Sequence, residues 1–137
     1  MRFLRMLIAA CCCAVLMTGC GDGMLKTKGR VIKNGGPFTL KEDEDLGIFF
    51  YPLNSDGSLG TTVYPAFFNA EDSTFHVTGT DRKGMPPGKY RVALEHKVVS
   101  KKIDLFKGAF NMTNSPLVFD VDSSTQEIVI DLDKPSS

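Results

Sequence analysis

The chain has 137 residues, 42% of them hydrophobic, and its sixteen basic and sixteen acidic side chains cancel. That length supports one domain of ordinary size with a core of its own. That charge balance suggests neither a nucleic-acid partner nor a polyanion, and no nucleic-acid partner is expected.

Residues 1–19 have the order of an export signal. Arg2 and Arg5 give a positive start, and residues 6–17 are an uncharged stretch of twelve. As a helix that stretch would be roughly 18 Å long, too short for a hydrocarbon core of ~30 Å. It is therefore expected to be removed rather than to span a membrane. The run Leu16-Met17-Thr18-Gly19-Cys20 resembles the lipobox of bacterial lipoproteins. Gly19 before Cys20 matches that pattern, Thr18 is acceptable, and Met17 stands where leucine is commonest. The resemblance implies that Cys20 is acylated and becomes the first residue of the processed chain. A plain secretory signal would need an Ala-x-Ala-like site, and residues 21–24 offer none. The partner implied is thus a membrane, reached through lipid on Cys20, with the body facing the periplasm or the exterior. Gly21, not aspartate, follows the acylation site, which turns the expectation toward the outer membrane.

Processing would leave 118 residues with fourteen basic and sixteen acidic side chains, a net charge of −2. Of the four cysteines, Cys11, Cys12 and Cys13 would leave with the signal as apolar filler, and Cys20 would be consumed by lipid. A disulfide framework, a cysteine zinc site and a thiol nucleophile are excluded together. Residues 20–27 read as a short flexible tether.

From Lys28 onward, short apolar runs are broken by Gly, Pro and Asp at the spacing of a β-sandwich. Residues 29–32 form a first strand, closed by Asn34-Gly35-Gly36-Pro37. The acidic run Glu42-Asp43-Glu44-Asp45 reads as a solvated loop. Residues 46–51 are nearly all apolar and are expected to be covered. Turn residues at 54–58 lead to a partner strand at 62–68, which Pro65 places at a sheet edge. Phe75 and Val77 alternate with His76 and Thr78 in a half-buried strand. Pro87-Gly88 suits a type II turn, after which Tyr90, Val92 and Leu94 share one face. In residues 100–116, Ile103, Phe106 and Phe110 are spaced for one side of a short helix near 103–109. Strands at 117–121 and 127–132 follow, and residues 134–137 are a frayed tail.

The Pro86-Pro87-Gly88-Lys89-Tyr90 passage into a strand resembles the transthyretin-like (prealbumin-like) sandwich of carboxypeptidase regulatory-like domains. The opening Lys28-Gly29-Arg30-Val31, the Ser73-Thr74-Phe75 strand start and the closing strand pair fit the same pattern. The resemblance covers residues 28–133 and implies an all-β, seven-stranded Greek-key sandwich. It says little about function, because function resides in sites rather than folds.

Chemistry is sparse. Pairing the 75–78 strand with the 90–96 strand would place His76 opposite about Arg91 and leave His96 some five residues, about 16 Å, away. That is too far for shared metal ligation, so His76 is expected in solvent and His96 near a strand end. The acidic run lacks the spaced carboxylates of a calcium loop. Asp120, Asp122, Asp131 and Asp133 punctuate strand faces and ends. Serine-hydrolase elbows, phosphate loops and His-Glu-x-x-His runs do not occur. The chain ends Asp133-Lys134-Pro135-Ser136-Ser137, unlike the Tyr-Arg-Gly-Ser end of hydroxyisourate hydrolases, the enzymes of this fold. Phe49 and Tyr51, with Tyr64 and Phe67 nearby, form an aromatic group read as packing beneath the 103–110 crossing, or else as a glycan-stacking face. The sequence thus leads to a lipid-anchored, non-catalytic binding or accessory module of the cell envelope. Its partner would be an envelope protein or, alternatively, a glycan. No metal and no cofactor is expected.

Overall fold

The computed structural model describes residues 23–125 and 127–134. Cys20, the signal and residues 135–137 of the tail lie outside the described residues. The nine strands are β1 (Lys28–Lys33), β2 (Gly36–Pro37), β3 (Glu44–Pro52), β4 (Tyr64–Asn69), β5 (Thr74–Val77), β6 (Gly88–Val98), β7 (Ile103–Asp104), β8 (Val118–Val121) and β9 (Ile128–Asp131). The described chain is all-β and has no helix. Seven of the strands have four residues or more; β2 and β7 are two-residue flanks of β1 and β6.

The long strands pair in the order β9-β1-β5-β4-β3-β6-β8, antiparallel except for the parallel β1/β9 pair. Six strand spacings of a flat sheet would separate β9 from β8 by about 29 Å. Yet only residues 122–127 connect them, a link of about 25 Å at full stretch. The sheet therefore curls, and its inner face closes on one core. Alternate residues supply that core: Val31, Leu46, Ile48, Phe50, Phe75, Val77, Tyr90, Val92, Leu94, Val121, Ile128 and Ile130 are all buried in a single cluster. Tyr90 is 1% exposed, sets its ring edge-on to Phe50 and Tyr64, and donates its hydroxyl hydrogen to the Pro86 carbonyl at 2.5 Å.

The β1/β2 hairpin turns on Asn34 and Gly35 with φ of 53° and 74°. This is the pair of left-handed residues that a two-residue hairpin requires. Several expectations are corrected. The short helix near 103–109 does not form. Lys107 and Gly108 have φ of 52° and 78°, which breaks a right-handed helix. Asp104 instead pins tight turns, Oδ1 accepting from the Phe106 N–H and Oδ2 from the Gly108 N–H. Phe106 and Phe110 turn into the core, whereas Ile103 is exposed.

Pro65 does not mark an edge, since β4 lies between β3 and β5. Its carbonyl accepts from the N–H groups of Thr78 and Gly79, one step beyond the end of β5. The missing proline N–H faces that same side, where the ladder has already ended. β5 pairs with β1 and β4 rather than β6, so His76 lies opposite Lys28 and Phe67, not Arg91. Gly88 opens β6 instead of taking a positive-φ turn position. The end of the stretch 20–27, expected as a flexible tether, belongs to the body. Leu25 and Met85 exchange backbone hydrogen bonds, and buried Thr27 accepts from the Val77 N–H.

Candidate functional site

At the far end of β6 the sheet opens into a recess of about 370 Å³, lined by Lys33, Asn34, Thr39, Lys41, Glu44, His96 and Leu105 among others. At its base, His96 Nε2 and Glu44 Oε2 lie 2.9 Å apart, with the two side chains only 11% and 10% exposed. β3 and β6 create this pair by register. Glu44 is opposite Val98, and Leu46 is opposite His96. The two polar residues are therefore diagonal neighbours on the inner face.

The same Glu44 oxygen accepts the Lys41 N–H at 3.0 Å. These two hydrogen bonds, first from the Lys41 backbone and then from the His96 ring, hold the Glu44 carboxyl below its ordinary value. Aromatic walls complete the base. Phe38 stands edge-on to the imidazole at 5.2 Å, Phe106 lies at 5.3 Å, and Phe110 packs on Phe106 at 5.0 Å. The arrangement can orient a neutral or charged imidazole beside a fixed carboxylate. Lys33 and Lys41 bring cationic side chains to the mouth.

Of the acidic run, Glu42, Asp43 and Asp45 are exposed as a solvated loop requires, while Asp43 and Glu44 also fasten the fold. Asp43, at φ 68°, accepts from the Ser100 N–H and hydroxyl, and its carbonyl accepts from the Val99 N–H. Glu44 enters the recess as described. Among the described residues, no group of three or more His, Cys, Asp or Glu is placed to hold a metal. His76 is exposed and rests against Phe67 with ring centroids 5.5 Å apart, whereas His96 faces inward. The two histidines lie on opposite faces and cannot share a ligand.

The aromatic group does not stay together. Tyr64 turns inward against Tyr90. Phe49 and Tyr51 are half-buried on the outer face, and Phe67 there is 59% exposed. Phe106 and Phe110 join the core end, so the 103–110 crossing does not cover these outer rings. The crossing leaves its own aliphatic side chains in solvent: Val99, Ile103 and Leu105 are 57%, 51% and 43% exposed. Of these, Leu105 lines the recess.

Strand spacing alone carried a signal for the His96–Glu44 pair. His96 continues the even-numbered inward set Tyr90, Val92, Leu94, and Glu44 precedes the even-numbered set Leu46, Ile48, Phe50. Two polar residues extending two inward rows required partners, and they found each other. No family model, curated protein or solved structure matches the chain.

Proposed function

We propose that the protein is a lipid-anchored accessory module of the cell envelope that binds a partner protein through the pole remote from its anchor and performs no catalysis. One observation carries this reading. The chain reaches the body at Leu25, beside Met85 and just before the start of β6. Val99 follows the other end of that eleven-residue strand, and Ile103 and Leu105 lie beside its last residues, Ile103 opposite Val98 and Leu105 donating its N–H to the His96 carbonyl, about 26–33 Å from the strand's start at ~3.3 Å per residue. Clustered exposed aliphatics bordered by polar groups are a common form of protein contact surface. On an anchored molecule this pole would project away from the bilayer. The finer reading of the body as a transthyretin-like sandwich is supported by its seven long strands and curled sheet. The lipid anchor is supported by the lipobox resemblance at Cys20.

A photo-crosslinking residue placed at Ile103 in intact cells tests the function. Adducts to one defined protein are expected from position 103 and not from Thr74 on the outer face. Equal adduct patterns at both positions would remove the remote pole as the binding surface. A second reading, glycan stacking, rests on the exposure of Phe67 beside half-buried Phe49. Loss of glycan retention in Phe67→Ala, with crosslinking at position 103 absent, would favour it.

A further inference from the structure

The pole nearest the anchor has a different character. Gly84, at φ 100°, backs directly onto the Leu25 carbonyl, and its N–H donates to the Thr78 carbonyl. These contacts clamp loop 79–84 against the incoming segment. Lys26 Nζ then donates to the Arg82 carbonyl at 3.1 Å, which holds two cationic residues at one place. Lys28 points to the same side as Lys26, two residues along, and Lys83 follows Arg82. All four side chains are exposed. Three acids lie close by. Asp81 sits 3.9 Å from Lys83, Asp122 lines a small hollow with Leu25, Lys26 and Thr27, and Glu127 shares a hollow with Lys28 but is paired with Arg30 at 3.1 Å. With Arg30 counted, five cations against three acids leave this pole positive on a processed chain whose net charge is −2. A groove of about 570 Å³ runs between Lys26, His76, Thr78, Thr80 and Arg82. That volume lies within the range of small-ligand sites.

We infer that this pole lies on the bilayer, with Lys26, Lys28, Arg82 and Lys83 against the headgroups of anionic phospholipids. The inference rests on the anchor reading. Lys26 is only six residues from Cys20, so an acylated Cys20 holds the patch within about 22 Å of the membrane surface. Opposite charge then draws it closer, over a screening length of about 8 Å at physiological salt. Tethering makes the contact intramolecular, so weak individual attractions suffice. The docked pole would fix the body upright and aim the Val99–Ile103–Leu105 pole away from the lipid.

The test uses processed protein extracted from membranes and reconstituted into two vesicle types, phosphatidylcholine alone and phosphatidylcholine with phosphatidylglycerol. Lysine acetylation rates are read by peptide mass spectrometry, and an intact mass on the same sample reads the acyl chains. Lys26, Lys28 and Lys83 are expected to react about fivefold more slowly on the anionic vesicles, with Lys101 and Lys102 unchanged and the difference removed by high salt. Replacing Lys26, Lys28 and Arg82 by Gln, with an unaltered circular dichroism spectrum, should abolish the protection of Lys83. Equal rates on both vesicles in an acylated sample would overturn the docking and leave the anchor standing. If the intact mass shows no acyl chain, co-sedimentation with the anionic vesicles decides. Protein that sediments retains the docking without the anchor, and protein that does not loses both.

Discussion

His96 and Glu44 are 52 positions apart in sequence and 2.9 Å apart in space. The contact exists because β3 and β6 pair along their whole common length, from Glu44 opposite Val98 to Pro52 opposite Tyr90. A slip of one residue in that register would turn the inward row of the slipped strand, with its member of the pair, to the outer face and part the two side chains. The pair is thus a readout of the correct register as well as the floor of the recess.

Its acid sensitivity has a definite sign. The Lys41 N–H and the His96 ring bind the charged form of Glu44 and lower its native titration below the ordinary 4.5. Unfolding restores the ordinary value. The stabilisation is therefore complete above about pH 4.5 and is lost as pH falls through the lowered native value. Denaturant titrations near pH 7 and near pH 3 should show a larger loss for the native sequence than for Glu44→Gln. Equal losses would mean that another carboxylate carries the acid response.

Tyr90 responds at the opposite end of the pH scale. Burial, and then the neighbouring Tyr64, push its phenol up to about 12. Between its unfolded value of 10.0 and that native value, the unfolded chain gives up a proton that the folded chain keeps. Stability therefore falls across this interval and levels above it. In Tyr90→Phe the alkaline fall should shrink. The variant should also be about 1 kcal/mol less stable at neutral pH, through loss of the bond to the Pro86 carbonyl. Thermal unfolding followed with phenolate absorbance reads both effects.

Two glycines separate steric crowding from backbone strain. Gly35 has φ 74° and open space where a Cβ would stand, whereas Gly84 has φ 100° and the Leu25 carbonyl in that space. Gly35→Ala should cost about 1–2 kcal/mol, the left-handed penalty alone. Gly84→Ala should cost more, because the incoming segment must also move away from Met85. Chemical denaturation of the two variants orders them, and a smaller cost at position 84 would mean that the Leu25–Met85 bridge yields freely.

The parity of the strands was legible because period-two burial needs only local sequence. Phe75 and Val77, or Tyr90, Val92 and Leu94, announced their inner faces without knowledge of any neighbour. What could not be read was pairing. Pro65 looked like an edge residue because its missing N–H is a local fact, while the end of β5 at Val77 that tolerates it is a tertiary one. The spacing of Ile103, Phe106 and Phe110 matched a helix, yet two of the three rings and chains point inward from successive tight turns. Asp104 supplied the competing hydrogen bonds that a helix would have taken from the backbone. His96 was placed near a strand end by sequence, but its carboxylate partner came only with the β3/β6 register.

The anchor gives the most direct prediction. An apolar stretch of twelve residues, followed by Thr18-Gly19-Cys20, is too short to hold a chain across a bilayer, so on the proposed reading retention comes from lipid. One acyl chain binds only marginally, and each buried methylene adds about 0.8 kcal/mol, so several chains make release negligible. The processed polypeptide should begin at Cys20 and exceed the mass of residues 20–137 by a diacylglyceryl group and one further acyl chain. Cys20→Ser should carry none of this added mass. Protein recovered uncut from the native sequence, or cut but free of acyl chains, would leave the balanced body without its tether and return the clustered aliphatics at 99–105 to a freely diffusing molecule.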